Sequence, residues 1–170
     1  MKIEVSDKLF DKEERQNTPK RVARYFKELK SKQNFKFTTF QNPDYDQLII
    51  LKNIEFASIC AHHLMPFVGR AHIGYIPKSK ICGVSKLARA LDKFASRPQL
   101  QERLTQELTK FLDKELEPLG VMVVLEAQHE CMRCRGVKKQ SSVMVTSALK
   151  GVFRHNDYKA KDEFLKLTMG

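Results

Sequence analysis

Residues 83–120, GVSKLARALDKFASRPQLQERLTQELTKFLDKELEPLG, carry two helical patterns back to back, and their flanks decide the fold. In the first pattern Val84, Leu87, Ala88, Leu91, Phe94 and Ala95 form one apolar stripe. In the second, Leu100, Leu104, Leu108, Phe111, Leu112 and Leu116 keep register until Pro118 and Gly120 stop it. Upstream, DQLIILKNIEFASI (46–59) and FVGRAHIGYIP (67–77) are rich in branched and aromatic residues and read as strands. Downstream, VMVVLEAQHECMRCRGV (121–137) reads as one long strand and SSVMVTSALKGVF (141–153) as another. An earlier helix is expected in NTPKRVARYFKELKSK (17–32), capped by Thr18 with Pro19 in its first position and Val22, Phe26 and Leu29 on one face. The order helix, strands, two helices, strands predicts an α+β domain with a mostly antiparallel sheet. No repeat, low-complexity tract or Gly/Ser linker divides it, so one domain is expected over 17–170, after a short segment 1–16.

The 170 residues suffice for one buried core, and 42% hydrophobic with 30% charged residues is an ordinary globular mixture. No apolar run approaches the roughly 18–20 residues of a membrane span. The start, MKIEVSDKLFDKEERQ, lacks the apolar centre of a signal peptide, so a cytoplasmic protein is expected. Its four cysteines are then thiols or metal ligands rather than disulfides. The net charge of +11 serves solubility or an anionic partner. Basic residues are spread along the chain and not interleaved with aromatics, so neither nucleic acid nor a membrane is the expected partner. A small phosphate-bearing ligand fits the charge better.

CAHHLM (60–65) and HECMRC (129–134) concentrate thiols and imidazoles in a chain with only four cysteines and five histidines. Cys60 and His63 have the spacing of two zinc ligands from one turn. Adding Cys131 and Cys134 closes a structural site with four protein ligands. Adding Cys131 alone leaves a position for water, as in a catalytic site. Strand alternation puts His129, Cys131, Arg133 and Arg135 on one face and Met132 and Cys134 on the other, which favours the open site; a bulge would reverse the argument. Where it is not a ligand, Cys134 reads like Cys82 as a small buried hydrophobe, and His72 and His155 as surface or satisfied residues.

Ser85 stands at a helix start with Lys86 and Arg89 close behind, although cations there oppose the helix dipole. A bound phosphate would explain them, and Arg135, on the strand face of Cys131, adds positive charge near the metal.

In order, SICAHHLMPFVGRAHIGYIP, GVSKLARALDKFASRPQLQERLT, EAQHECMRCRGV and VTSALKGVF resemble the GTP cyclohydrolase I family, zinc enzymes of folate and pterin biosynthesis. The resemblance runs from about Asn17 to DEFLKL (162–167). It implies a tunnelling fold, an antiparallel sheet with two long helices on one face plus an N-terminal helix. Subunits would assemble into an oligomeric barrel, typically a homodecamer, with active sites between them. It also implies that GTP and water give 7,8-dihydroneopterin triphosphate and formate. Cys60, His63 and Cys131 would hold zinc (Zn2+), which activates water for attack on C8 of guanine. His62 and His129 would move protons, and Ser85 would assist near the ribose. Glu102, helped by Gln101, would take the guanine edge, while Lys86, Arg89, Arg135 and, from another subunit, Arg21 would grip the triphosphate.

Two departures stand out. The family's acidic residue between the zinc cysteine and the first histidine is Ala61 here, and its Lys-Pro-Gly-Ser run reads KKQSS (138–142). Ala61 leaves room for a related purine nucleotide as substrate, or for arrest at the ring-opened formyl intermediate. The reading of a different class is a non-enzymatic zinc module that binds nucleic acid, closed by Cys134.

Overall fold

A computed structural model describes residues 9–31, 35–154 and 158–169; His155 lies outside them. The chain runs α1 (Lys12–Ser31), β1 (Thr39–Gln41), β2 (Ile49–Cys60), β3 (Pro66–Ile76), β4 (Lys80–Cys82) and α2 (Val84–Ala95). It continues through β5 (Pro98–Gln99), α3 (Gln101–Leu116), β6 (Gly120–His129), α4 (Glu130–Arg133), β7 (Met144–Gly151) and α5 (Tyr158–Met169). The main sheet has the order β5-β2-β3-β6-β7. Its four long strands are antiparallel, whereas the short β5 runs parallel to β2. β1 and β4 form a separate ribbon.

Alternation along β3 and β6 sorts the core into two layers. Ala71, Ile73, Tyr75, Val121, Val123 and Leu125 join Leu87 and Leu91 of α2 and Leu104, Leu108, Leu112 and Leu116 of α3 in one cluster. The intervening Met122 and Val124 face the other way and pack with Phe153 and with Phe164 of α5. Gly74 makes room for that helix: a Cβ there would lie 2.6 Å from the Phe164 ring.

Three expectations need correction. The first helix starts at Lys12, not at Thr18, and carries Pro19 in its interior. Asp11 explains the earlier start: its Oδ1 accepts from the Glu14 amide, and Glu14 Oε2 accepts from the Asp11 amide. That reciprocal pair is a capping box, and it outweighs the Thr-Pro signal. The strand expected over 121–137 ends at His129, where the chain enters a helical turn. His72 is neither a surface residue nor fully satisfied. It is 3% exposed, with Nε2 3.5 Å from Glu126 and Nδ1 without a partner. Among the described residues no helix is long and apolar enough to cross a membrane.

Candidate metal centre

β2 and β3 are joined by the turn 61–64. The Cys60 amide donates to the Met65 carbonyl at 2.8 Å, and the Leu64 amide to the Cys60 carbonyl at 2.8 Å. Leu64 closes the turn at φ 55°, a left-handed conformation that costs a non-glycine residue about 1–2 kcal/mol. A third bond, from the Ala61 amide to the Gln99 carbonyl at 2.9 Å, ties the turn to β5. Cys60 is thereby buried, while His62 and His63 stand exposed with their rings 80° apart.

Behind β5 a polar cluster braces this turn. Gln99 is fully buried; its side-chain amide donates to Glu107 at 2.8 Å and accepts from Arg103 Nε at 2.6 Å. Arg97 donates to both Glu107 oxygens at 2.6 Å. Burial opposes ionisation of Glu107, but the bonds from Arg97 and Gln99 win and hold its carboxyl below the ordinary range.

Cys131 comes from the helical turn after β6. The ligand atoms of Cys60, His63 and Cys131 all lie within 4.8 Å of one another. Donors on a tetrahedral zinc stand about 3.5 Å apart, so a small closure would bring this set onto one ion. Burial, with the Cys60 thiol alongside, pushes the Cys131 thiol up. A cation between the two sulfurs would reverse that preference and hold both as thiolates. Two thiolates and an imidazole suit a borderline-soft cation, and the residues present fit such a metal.

Cys134 lies outside this group. It is exposed, with Sγ 3.0 Å from the Glu130 carbonyl and 4.0 Å from Met65 Sδ. Strand alternation is not what separates the two cysteines, because no strand continues past His129. A bond from Arg133 to Glu130 at 2.6 Å and bonds between Arg133 and Gln140 in both directions hold the helical turn instead.

His129 ends β6 with its ring stacked on Phe67, 4.6 Å between centroids and 2° between planes. Burial lowers its pKa, opposed by the negative charge of Glu102 nearby in the first turn of α3. The ring is therefore neutral near neutral pH and able to accept a proton. Gln101, expected at the substrate, is 1% exposed, and its Oε1 lies 2.8 Å from His129 Nε2.

The remaining expected residues stand apart from this cluster or at its edge. Arg135 is exposed, and its charge acts on Cys131. Ser85 and Arg89 are exposed on α2, whose N-cap, Gly83, offers no side-chain bond to the first-turn amides. Lys86 Nζ donates to the Lys36 carbonyl at 3.0 Å. Arg21 pairs with Glu13 on its own helix at 2.7 Å. A cavity of 810 Å³ lined by Glu55, Arg70, Glu126 and Gln128, among others, includes none of the expected residues.

Gln99, Glu107, Thr105 and Thr146 support the site without having been singled out in the sequence. The available signal was in α3, where Thr105 and Thr109 sit among the leucines of the buried face. Polar residues in such a stripe need partners.

A family model described as GTP cyclohydrolase I matches residues 2–169. A protein named GTP cyclohydrolase 1 from Aquifex aeolicus is 51% identical over 161 residues, covering 94% of this chain and 87% of its own. One of the same name from Halalkalibacterium halodurans is 49% identical over 160 residues, covering 91% and 85%. Among solved structures, the archaeosine synthase QueF-Like in the apo form superposes with TM-score 0.51 at 18% identity. That match covers 61% of this chain and 93% of the other, and speaks to the fold alone.

Proposed function

The chain belongs to the GTP cyclohydrolase I family, and from that premise we propose that Cys60, His63 and Cys131 hold zinc at the centre of its active site. Family membership makes it an enzyme acting on GTP. The observation that carries the site is the convergence of two thiols and one imidazole from the two ends of the sequence pattern. Zinc bound there would lower the pKa of its water and so supply a nucleophile for C8 of guanine near neutral pH.

The protein's own groups do the rest. His129, half-buried and with its pKa lowered by that burial, takes and returns a proton as the imidazole ring of guanine opens. His62, exposed on the turn beside the ligand His63, serves the other ring nitrogen. Glu102 accepts hydrogen bonds from the N1–H and 2-amino groups of guanine, a pair that adenine lacks. Lys86, Arg89 and Arg135 bind the triphosphate, with Lys86 exchanging its bond to the Lys36 carbonyl for phosphate oxygens. Ser85 assists at the ribose as the ring recloses.

Arg21 acts in the site of another subunit. Supporting this, Val22 and Tyr25 of α1 are 40% and 41% exposed, an apolar face that another subunit would cover. The assembly is a homodecameric barrel of the tunnelling fold, and the compartment is the cytoplasm.

The test is to incubate zinc-loaded protein with GTP and follow formate and pterin fluorescence together. Both products are expected in equal amounts. Formate without fluorescence would mean arrest at the ring-opened stage, the reading that Ala61 motivates. Neither product would remove the proposal.

A further inference from the structure

A buried circuit of hydrogen bonds determines which nitrogen of His129 carries the proton. The side chain of Gln101 has its Nε2 3.1 Å from the Leu125 carbonyl, 2.9 Å from the Met144 carbonyl and 3.1 Å from Thr146 Oγ1. A backbone carbonyl can only accept, so the amide nitrogen must face these atoms, sharing its two hydrogens among them. Turning the amide over would press its oxygen against two carbonyl oxygens in a site that is 1% exposed. The amide oxygen therefore faces His129 Nε2 at 2.8 Å.

The hydroxyls agree with this direction. Thr105 Oγ1 donates to the Gln101 backbone carbonyl at 2.7 Å, which uses its only hydrogen. Thr105 must then accept from Thr146 Oγ1, 2.7 Å away, and Thr146 in turn accepts from the Gln101 amide. The donor directions around the circuit are mutually consistent. An amide oxygen cannot donate, so the hydrogen between Gln101 and His129 belongs to the histidine. The Phe67 ring, stacked on the imidazole at 4.6 Å, limits the tilt of its plane.

We propose that Gln101 is a positioning residue: its amide oxygen fixes His129 as the Nε2–H tautomer and leaves Nδ1 as the nitrogen that exchanges a proton with substrate. Gln101 reaches the chemistry only through His129. Its own donors are spent on β6, β7 and Thr146, so it does not take the guanine edge as Glu102 does. The amide oxygen can accept from Nε2–H whether or not Nδ1 carries a proton. The proton thus enters and leaves at one atom and the ring need not turn during the cycle. The inference rests on the reading of His129 as a proton-transfer group, and the experiment separates the two.

The direct measurement is magic-angle-spinning 15N spectroscopy of histidine-labelled, zinc-loaded protein, with His129 assigned by its loss in His129→Gln. The expected result is a protonated Nε2 and an unprotonated Nδ1; a protonated Nδ1 on a neutral ring would overturn the proposal. Turnover of GTP supplies the second readout. Gln101→Met, with zinc content checked, should lose about ten- to a hundredfold in kcat while KM stays within about twofold. A raised KM with kcat intact in Gln101→Met would mean direct substrate binding and would also overturn it. If His129→Gln turned over GTP at the wild-type rate, the role given to His129 would fall, whereas the 15N spectrum would still report the tautomer.

Discussion

Cys134 stands three residues from Cys131, close enough in sequence to complete a four-ligand site, yet its sulfur is turned to the Glu130 carbonyl. Cys134→Ser should therefore keep one zinc per chain through dialysis, while Cys131→Ser should lose it, as read by metal analysis. Equal loss in both variants would put Cys134 on the metal. The Cys-x-x-His spacing made half of this centre legible in the sequence, because two ligands from one turn are a local pattern. The choice of Cys131 came from strand alternation, and the structure reaches the same residue by a different route, a helical turn. That turn depends on Arg133 and Gln140, whose pairing no periodicity announces. Glu107 illustrates a second kind of invisibility, since a solvated helix charge and a brace behind a metal turn look alike in sequence. Its folded pKa lies below the ordinary 4.5, so its contribution is fully present above pH 4.5 and disappears as pH falls through the lower folded value. With Arg97 partly exposed the effect is about 1 kcal/mol or less. Glu107→Gln should melt below wild type at pH 7, and the gap should close in acid. A gap that widened as pH fell would contradict the sign.

Among the elements, α2 and α3 were legible because their apolar stripes are long and regular. The stop of α3 differs in detail: Glu117, not a glycine, takes the left-handed position at φ 48°, ahead of Pro118. Lys80 pairs with that Glu117 side chain, a long-range contact absent from any local signal. Helix α5 escaped notice for a related reason. Its stripe is short, and its burial depends on Gly74, about ninety residues earlier in the chain. Phe164 is fully buried there, so Phe164→Ala should cost about 3–5 kcal/mol in urea unfolding. Adding Gly74→Ala should relieve part of that loss, since the new methyl group enters the space the ring leaves. A strictly additive double mutant would show that the glycine and the ring do not share that space.

For the whole molecule, the same face that buries Leu104 and Leu108 also carries His129, so the core and the chemistry are built on one packing surface. The proposal carries the rest of the site past one chain. β7 forms an edge of the sheet, with Val143 and Val145 49% and 58% exposed, and α1 presents Val22 and Tyr25. Native mass spectrometry should give a ten-chain assembly. If Arg21 serves a neighbour's site, a mixture of Arg21→Ala chains with Cys131→Ser chains should regain activity that neither has alone. Failure to complement in mixed assemblies would confine each site to one chain. In the proposed site the charge of +11 would serve the triphosphate, although its spread along the chain conceals where that use would lie.

X-ray absorption at the zinc edge of the loaded wild-type protein tests the centre most directly. Two sulfur neighbours at about 2.3 Å with nitrogen and oxygen at about 2.0–2.1 Å are predicted for Cys60, Cys131, His63 and a solvent ligand. Three sulfur neighbours would contradict the account, because a metal saturated by protein has no position left from which to open a purine ring.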